Sequence, residues 1–165
     1  MKCLDVSMMA DLLAKANAST RLRQHHNLHD SHDDPCHRLV VAMVGGSYIQ
    51  PHRHKAYPKE ELFVILSGEL AAVTFSGDGT VDTVQLLTPD GTCLGCEFPA
   101  GAWHTIVPLK DSVFLEVKAG PYMPLPDEDR APWAPVEDDP DARSYLKGLQ
   151  VEVGNWLRLD ARCSL

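Results

Sequence analysis

Gly46-Ser-Tyr-Ile-Gln-Pro-His52-Arg-His54, running on to Glu61 and Gly68, is the stretch that decides the fold. Pro99-Ala-Gly101-Ala-Trp103-His104 completes it. On an extended strand, side chains two apart share a face, so His52 and His54 point the same way. Glu61 opens the next predicted strand with Phe63 and Ile65 on its face, an apolar lining with a carboxylate at its mouth. Glu60 is a competing acid; parity and the spacing to Gly68 favour Glu61. His104 follows Gly101, which permits a close approach. Three imidazoles and one carboxylate form a ligand set for one divalent transition metal. Fe, Mn, Ni, Co and Zn all suit such donors, and the ligand types do not choose among them. Four protein ligands on a six-coordinate ion leave positions open for water or substrate, as catalysis requires. The competing reading is of exposed or hydrogen-bonded core histidines. The glycines and prolines set around them favour the metal.

Working outward, the pattern from Leu39 to Ala119 is strand, turn, strand. Strands are predicted at 38–44, 47–54, 61–66, 69–75, 81–87, 92–98, 103–107 and 113–118. Gly45-Gly46, Ser67-Gly68, Gly77-Asp78-Gly79, Pro89-Asp90-Gly91 and Pro99-Ala-Gly101 punctuate them. Short strands at regular spacing favour a sandwich or barrel, and about eight suit a jelly roll. Before them, residues 6–17 read as a helix, with Ser7 as a start cap and Met9, Leu12, Leu13 and Ala16 on one face. Residues 18–36 read as irregular and polar, rich in histidine (His25, His26, His29, His32), a composition that can bind metal but equally suits a solvated loop. Beyond the strands, prolines at 121, 124, 126, 132, 135 and 140 predict an extended arm, anchored on the barrel by Trp133. A short helix follows at 141–149, and residues 150–165 show no clear pattern. The expectation is one domain over 1–165: an N-terminal helix and polar segment (1–36), a barrel (37–119), and a Pro-rich arm ending in a short helix (120–165).

The 165 residues are 44% hydrophobic and 23% charged, ordinary for a globular chain. A net charge of -8 argues against a nucleic-acid partner, because phosphate contacts need a basic surface. No apolar run reaches membrane-spanning length, and no signal-peptide core stands at the N-terminus, so a cytoplasmic protein is expected. Five cysteines in such a chain predict reduced thiols. Cys93-Leu-Gly-Cys96 reads as strand residues rather than a redox or zinc pair, since residues three apart on a strand face opposite ways. Exposed barrel edges favour pairing with a second copy, and a homodimer is expected.

A small-molecule ligand needs a pocket. Glu116 and Lys118 alternate with Val113, Leu115 and Val117. If the polar face of that strand turns inward, Glu116 is a candidate catalytic base; turned outward, it is a salt-bridged surface. Arg21 and Arg23 can reach a phosphate or carboxylate if the N-terminal segment folds over the barrel mouth. Arg53 is out of phase with the histidines and should point away. Tyr48 and Trp103 are candidate walls, or simply packed residues.

These residues resemble the two cupin motifs. Gly46, His52, His54, Glu61 and Gly68 match the first, with a His54-to-Glu61 gap longer than usual; Pro99, Gly101 and His104 match the second. Cys93 and Pro108 stand where the second motif has glycine and asparagine, which leaves the ligands intact. A narrower resemblance, to the WbuC family of cupin-fold metalloproteins, rests on Arg21-Leu-Arg23, Asn27-Leu-His29, Arg38, Tyr48 to His54, Glu116 to Tyr122 and Ala131-Pro-Trp-Ala-Pro135. It implies a mainly β double-stranded β-helix, the jelly-roll cupin barrel, with a bound metal and a surface-polysaccharide context. Three functions follow. One is an isomerase or epimerase of a sugar or nucleotide-sugar derivative. The others are an Fe(II)-dependent dioxygenase and a non-catalytic ligand-binding or sensory cupin.

Overall fold

The computed structural model describes the backbone of residues 1–163 and the side chains of residues 1–159. Helix α1 spans Val6–Ala18. Its cap is Asp5, whose carboxylate accepts from the Met8 amide at 2.9 Å, and Ser7 lies inside the first turn. The expected cap was two residues late, because Asp5 satisfies one of the free N–H groups that open the helix.

The strands are β1 (Arg23–Asn27), β2 (Cys36–Met43), β3 (Glu61–Ser67), β4 (Leu70–Phe75), β5 (Val81–Leu87), β6 (Gly95–Phe98), β7 (Trp103–Pro108) and β8 (Ser112–Ala119). They form a five-stranded sheet, β1-β2-β8-β3-β6, and a three-stranded sheet, β5-β4-β7, antiparallel throughout. The chain doubles back on itself, so β2 pairs with β8 and β4 with β7. This is a jelly roll. Val41, Met43, Phe63, Ile65 and Phe114 of the larger sheet meet Leu70, Ala72, Leu87 and Ile106 of the smaller one to form the interior.

Both outer faces are covered too. Leu12 and Ala16 of α1 lie on Val40, Ala42 and Val113 of the larger sheet. Helix α2, Ala142–Cys163, sets Ala142, Leu146, Leu149 and Val153 on Ala71, Val73, Val81 and Val107 of the smaller one. Hence Leu70 to Val73 are all buried, a continuous apolar run that only a strand covered on both faces can hold.

Three expectations are corrected. Residues 47–54 form no strand; only His52 makes isolated bridges, to His104 and Arg130. Pro51 lacks the N–H that a ladder would use. The irregular tract instead contains β1, an edge strand whose residues are mostly exposed and so show no hydrophobic alternation. The final helix runs on to Cys163, its apolar spacing of three and four continuing through Val153. The arm holds a single 3-10 turn, Asp127–Asp129, and is otherwise irregular as expected. Trp133 anchors it by packing edge-on against Trp103, ring centroids 4.8 Å apart. Cys93 and Cys96 pack against the interior, and burial, with Cys93 beside it, pushes the Cys96 thiol up to about 11, far from an activated thiolate. The side chain of Cys163 lies outside the described residues. Among the described residues, no helix is long and apolar enough to cross a membrane.

Gly68 turns β3 into β4 with φ +83°, and a Cβ there would stand 2.7 Å from Ser112 Cα. Gly68→Ala should therefore cost about 2–4 kcal/mol, from left-handed strain plus the clash. Gly77→Ala, where a Cβ meets nothing within 4 Å, should shift stability by less than about 1 kcal/mol. Urea unfolding midpoints at unchanged m-value check both.

Candidate metal centre

His104 is the second residue of β7, and its backbone fixes His52. The His52 amide donates to the His104 carbonyl at 3.0 Å, and the His104 amide returns a bond of 2.8 Å to the His52 carbonyl. The arm holds the other side of the same segment: the Ala131 amide donates to Pro51 O and the Arg53 amide to Asp129 O, both at 2.9 Å. His52 is thus gripped on two sides without belonging to a strand. The Asp129 carboxylate, 1% exposed, accepts from Arg53 Nε (3.1 Å) and from the Lys55 (3.0 Å) and Ala56 (2.8 Å) amides. It closes the turn just after His54. Burial pushes the Asp129 carboxyl up, but these bonds outweigh it and hold the group below the usual carboxylate range. Arg53 lies 4.2 Å over the Trp103 ring, out of phase with the histidines.

His52, His54, Glu61 and His104 each offer one ligand atom, all within 4.8 Å of one another. His52 Nδ1 lies 3.1 Å from Gln50 O and His104 Nδ1 2.9 Å from Ala102 O. A carbonyl only accepts, so both Nδ1 atoms carry the proton and both Nε2 lone pairs are free for a metal. Glu61 Oε2 is 3.3 Å from His104 Nε2; Oε1 is 2.9 Å from His54 Nε2 and 2.8 Å from Lys118 Nζ. The His54 contact is short but badly angled, so buried His54 Nε2 has no hydrogen-bond partner. Such an orphan costs about 1–3 kcal/mol. At His104, a lone pair faces a carboxylate oxygen. A cation among these atoms relieves both features, so the residues fit a metal ion. Phe98 stacks on His104, centroids 4.3 Å apart and planes 18° from parallel, which holds that ring in place.

Burial, reinforced by His104, pushes His52 down to about 3, keeping it in the neutral form that binds metal. Burial pushes Glu61 up, but His104, His54 and the Lys118 ammonium outweigh it and hold the carboxyl well below its usual range. The competing acid, Glu60, is exposed and stands outside the cluster.

His52, Glu61 and His104 of the cluster line a cavity of about 450 Å³ between the sheets. Phe63, Ile106 and Phe114 supply apolar walls. Glu116 and Lys118 line it as well, and the two are ion-paired to each other, so the inward and the salt-bridged readings of Glu116 meet in one arrangement. Burial pulls Lys118 down, but Glu116 and Glu61 more than compensate and hold the ammonium above its ordinary value. Arg21 and Arg23 reach the cavity, where both pair with Glu137 of the arm. Tyr48 does not. Its hydroxyl donates to Pro135 O at 2.8 Å and its ring packs against Tyr145, outside the smaller sheet. Trp103 likewise belongs to that outer cluster. In the histidine-rich tract, His29 stacks on His37 at 4.1 Å, and each bonds a backbone carbonyl. Among the described residues, the only metal-ligand grouping is the one around Glu61. Sequence reasoning missed Asp129, Arg130 and Glu137, which reach the site from an arm whose composition announces only extended chain.

A family described as a domain of unknown function, DUF6016, matches residues 4–87, half of the chain. The chain belongs to this family. The DUF6016 match includes His52, His54 and Glu61 and ends before His104. No curated protein sequence matches significantly. Among solved structures, TT1209 from Thermus thermophilus is 19% identical, covers 72% of this chain and 97% of its own, and superposes with a TM-score of 0.51. A cupin superfamily protein from Desulfitobacterium hafniense is 18% identical over 59% of this chain and 76% of its own, TM-score 0.47. KdgF from Halomonas sp. is 17% identical over 62% and 81%, TM-score 0.47. The likeness to TT1209 is one of fold. That shared fold is the antiparallel jelly roll described above, carried here by a chain of the DUF6016 family.

Because Asp129 fastens the loop that carries two ligands, Asp129→Ala should weaken Zn(II) binding about 10- to 100-fold in a calorimetric titration, although no ligand is removed. The carboxyl titrates below its unfolded value, so its stabilisation is present above about pH 4 and is lost as pH falls through the folded value. Asp129→Asn should flatten the acid limb of a stability-against-pH curve; an unchanged limb would contradict this.

Proposed function

We propose that this chain is a cupin and a metal-dependent enzyme acting on a small polar metabolite, and that its reaction is isomerisation or epimerisation. One observation carries the reading: Glu116 and Lys118 share a cavity with His52, Glu61 and His104, so a proton acceptor and a candidate metal site line one space. When bound, a divalent ion supplies Lewis-acid polarisation of a substrate carbonyl or hydroxyl. Glu116 then takes the proton from the adjoining carbon. Return of that proton to the neighbouring carbon, with the hydroxyl proton passing to the former carbonyl oxygen, isomerises the substrate; delivery of a solvent proton to the opposite face, with Glu116 releasing its own to solvent, epimerises it. No other reactant is consumed. Lys118, paired with Glu116 and Glu61 at once, keeps the acceptor pointed along the cavity. Phe63, Ile106 and Phe114 limit water.

The resemblance to the WbuC family supports a sugar or nucleotide-sugar derivative from surface-polysaccharide synthesis as the substrate. The test incubates protein carrying Mn(II) or Zn(II) with free sugars and nucleotide sugars in D2O, and follows carbon-bound protons by NMR. Exchange should appear for one substrate class and fall about 100-fold or more in Glu116→Gln at unchanged metal content. Equal exchange in the variant would refute the role of Glu116. Oxygen uptake by the iron-loaded protein without exchange would replace isomerisation with oxygenation, and metal-dependent sugar binding without turnover would replace catalysis with ligand binding.

A further inference from the structure

The cavity lining carries a second cluster that the metal chemistry does not use. Arg23 is 11% exposed at its side chain, with its guanidinium fixed at both ends. Nη1 donates to Tyr48 O at 2.8 Å, and Nη2 donates to both Glu137 oxygens at 2.6 Å. Arg21 adds a bond from Nε to Glu137 Oε2 at 3.1 Å. A buried, oriented guanidinium with a second arginine beside it is a receptor for a planar carboxylate.

The occupant is the protein's own carboxylate. Glu137 sits in a turn closed by the Asp139 amide on Val136 O, next to exposed Val136. Anchors hold the arm on the inner side of that turn: Gln50 Nε2 donates to Ala131 O and Ala134 O, and Tyr48 Oη to Pro135 O. Glu137 itself has no anchor among the described residues except the arginines, and its side chain is 29% exposed. It can therefore turn out to water while the arm stays docked.

Cavity charge points the same way. Arg21, Arg23, Lys118 and Arg130 line it against Glu61, Glu116 and Glu137. That leaves one positive charge, or three with a divalent ion, in a chain whose net charge is -8. If Glu137 swings out, the excess rises by one more. Such a space selects an anion.

We infer that Arg23 and Arg21 form a carboxylate subsite, that Glu137 occupies it as an internal competitor, and that the ligand of this cavity carries a carboxylate that takes Glu137's place. This rests on the proposed function in so far as the ligand's other end meets the metal, and it narrows the substrate class to acidic metabolites such as sugar acids. The subsite itself needs no metal.

The test is calorimetric titration with succinate, and separately with inorganic phosphate, on metal-free and Zn(II)-loaded protein at constant ionic strength. Removing an internal competitor raises the population of the open subsite, so Glu137→Gln should bind succinate about tenfold tighter than the parent chain in both forms. Adding Arg23→Gln to that variant should abolish the gain. A gain in affinity cannot come from a misfolded protein, which keeps the result readable. Unchanged or weaker binding in Glu137→Gln, or full binding in the double variant, overturns the inference. Tighter binding of phosphate than of succinate overturns the carboxylate assignment. Anion binding by a protein that takes up no metal would sustain the subsite and refute the metal reading.

Discussion

Two backbone hydrogen bonds between His52 and His104 join the loop before β3 to β7, and the candidate metal centre depends on them. The four ligands come from three separate pieces of chain. Two of those pieces, β3 and β7, lie in different sheets, so their positions follow from how the sheets pack. The third is the loop around His52 and His54, which no ladder fixes. Its order comes from the reciprocal pair with His104 on one side and from Ala131 and Asp129 of the arm on the other. The C-terminal arm is thus part of the site's architecture, although it supplies no ligand.

That dependence explains what could be read from the chain alone. The ligand set was legible because each member sits in a short motif with fixed parity, and Glu61 is told from Glu60 by period-two alternation and by the spacing to Gly68. The barrel strands from Leu39 onward were legible from apolar runs cut by glycine and proline turns. Two elements were not. Residues 47–54 look like a strand because they are extended and held on both sides, but Pro51 interrupts the donor row and leaves a bridge in place of a ladder. Arg23–Asn27 looks like loop because an edge strand with exposed faces needs no apolar alternation; only its pairing to β2 defines it. The partners that complete the site, Asp129 for the loop and Glu137 for the arginines, act across separations that local spacing does not encode.

The cavity combines two opposing tendencies. At the metal end, burial strips water from three imidazoles and a carboxylate and leaves His54 Nε2 without a partner, a state that favours a cation. Elsewhere in its lining, arginines in an acidic chain favour an anion. Lys118 bridges Glu61 to Glu116, so it links the proposed proton acceptor to the candidate metal-binding carboxylate. A ligand with oxygens at one end and negative charge at the other answers both.

The most direct test of the central claim is a crystal structure of the Zn(II)-soaked protein with anomalous data collected across the zinc edge. The account predicts one strong anomalous peak about 2.0–2.2 Å from Nε2 of His52, His54 and His104 and from a Glu61 oxygen. A peak elsewhere, or none while these four side chains keep their places, would contradict it.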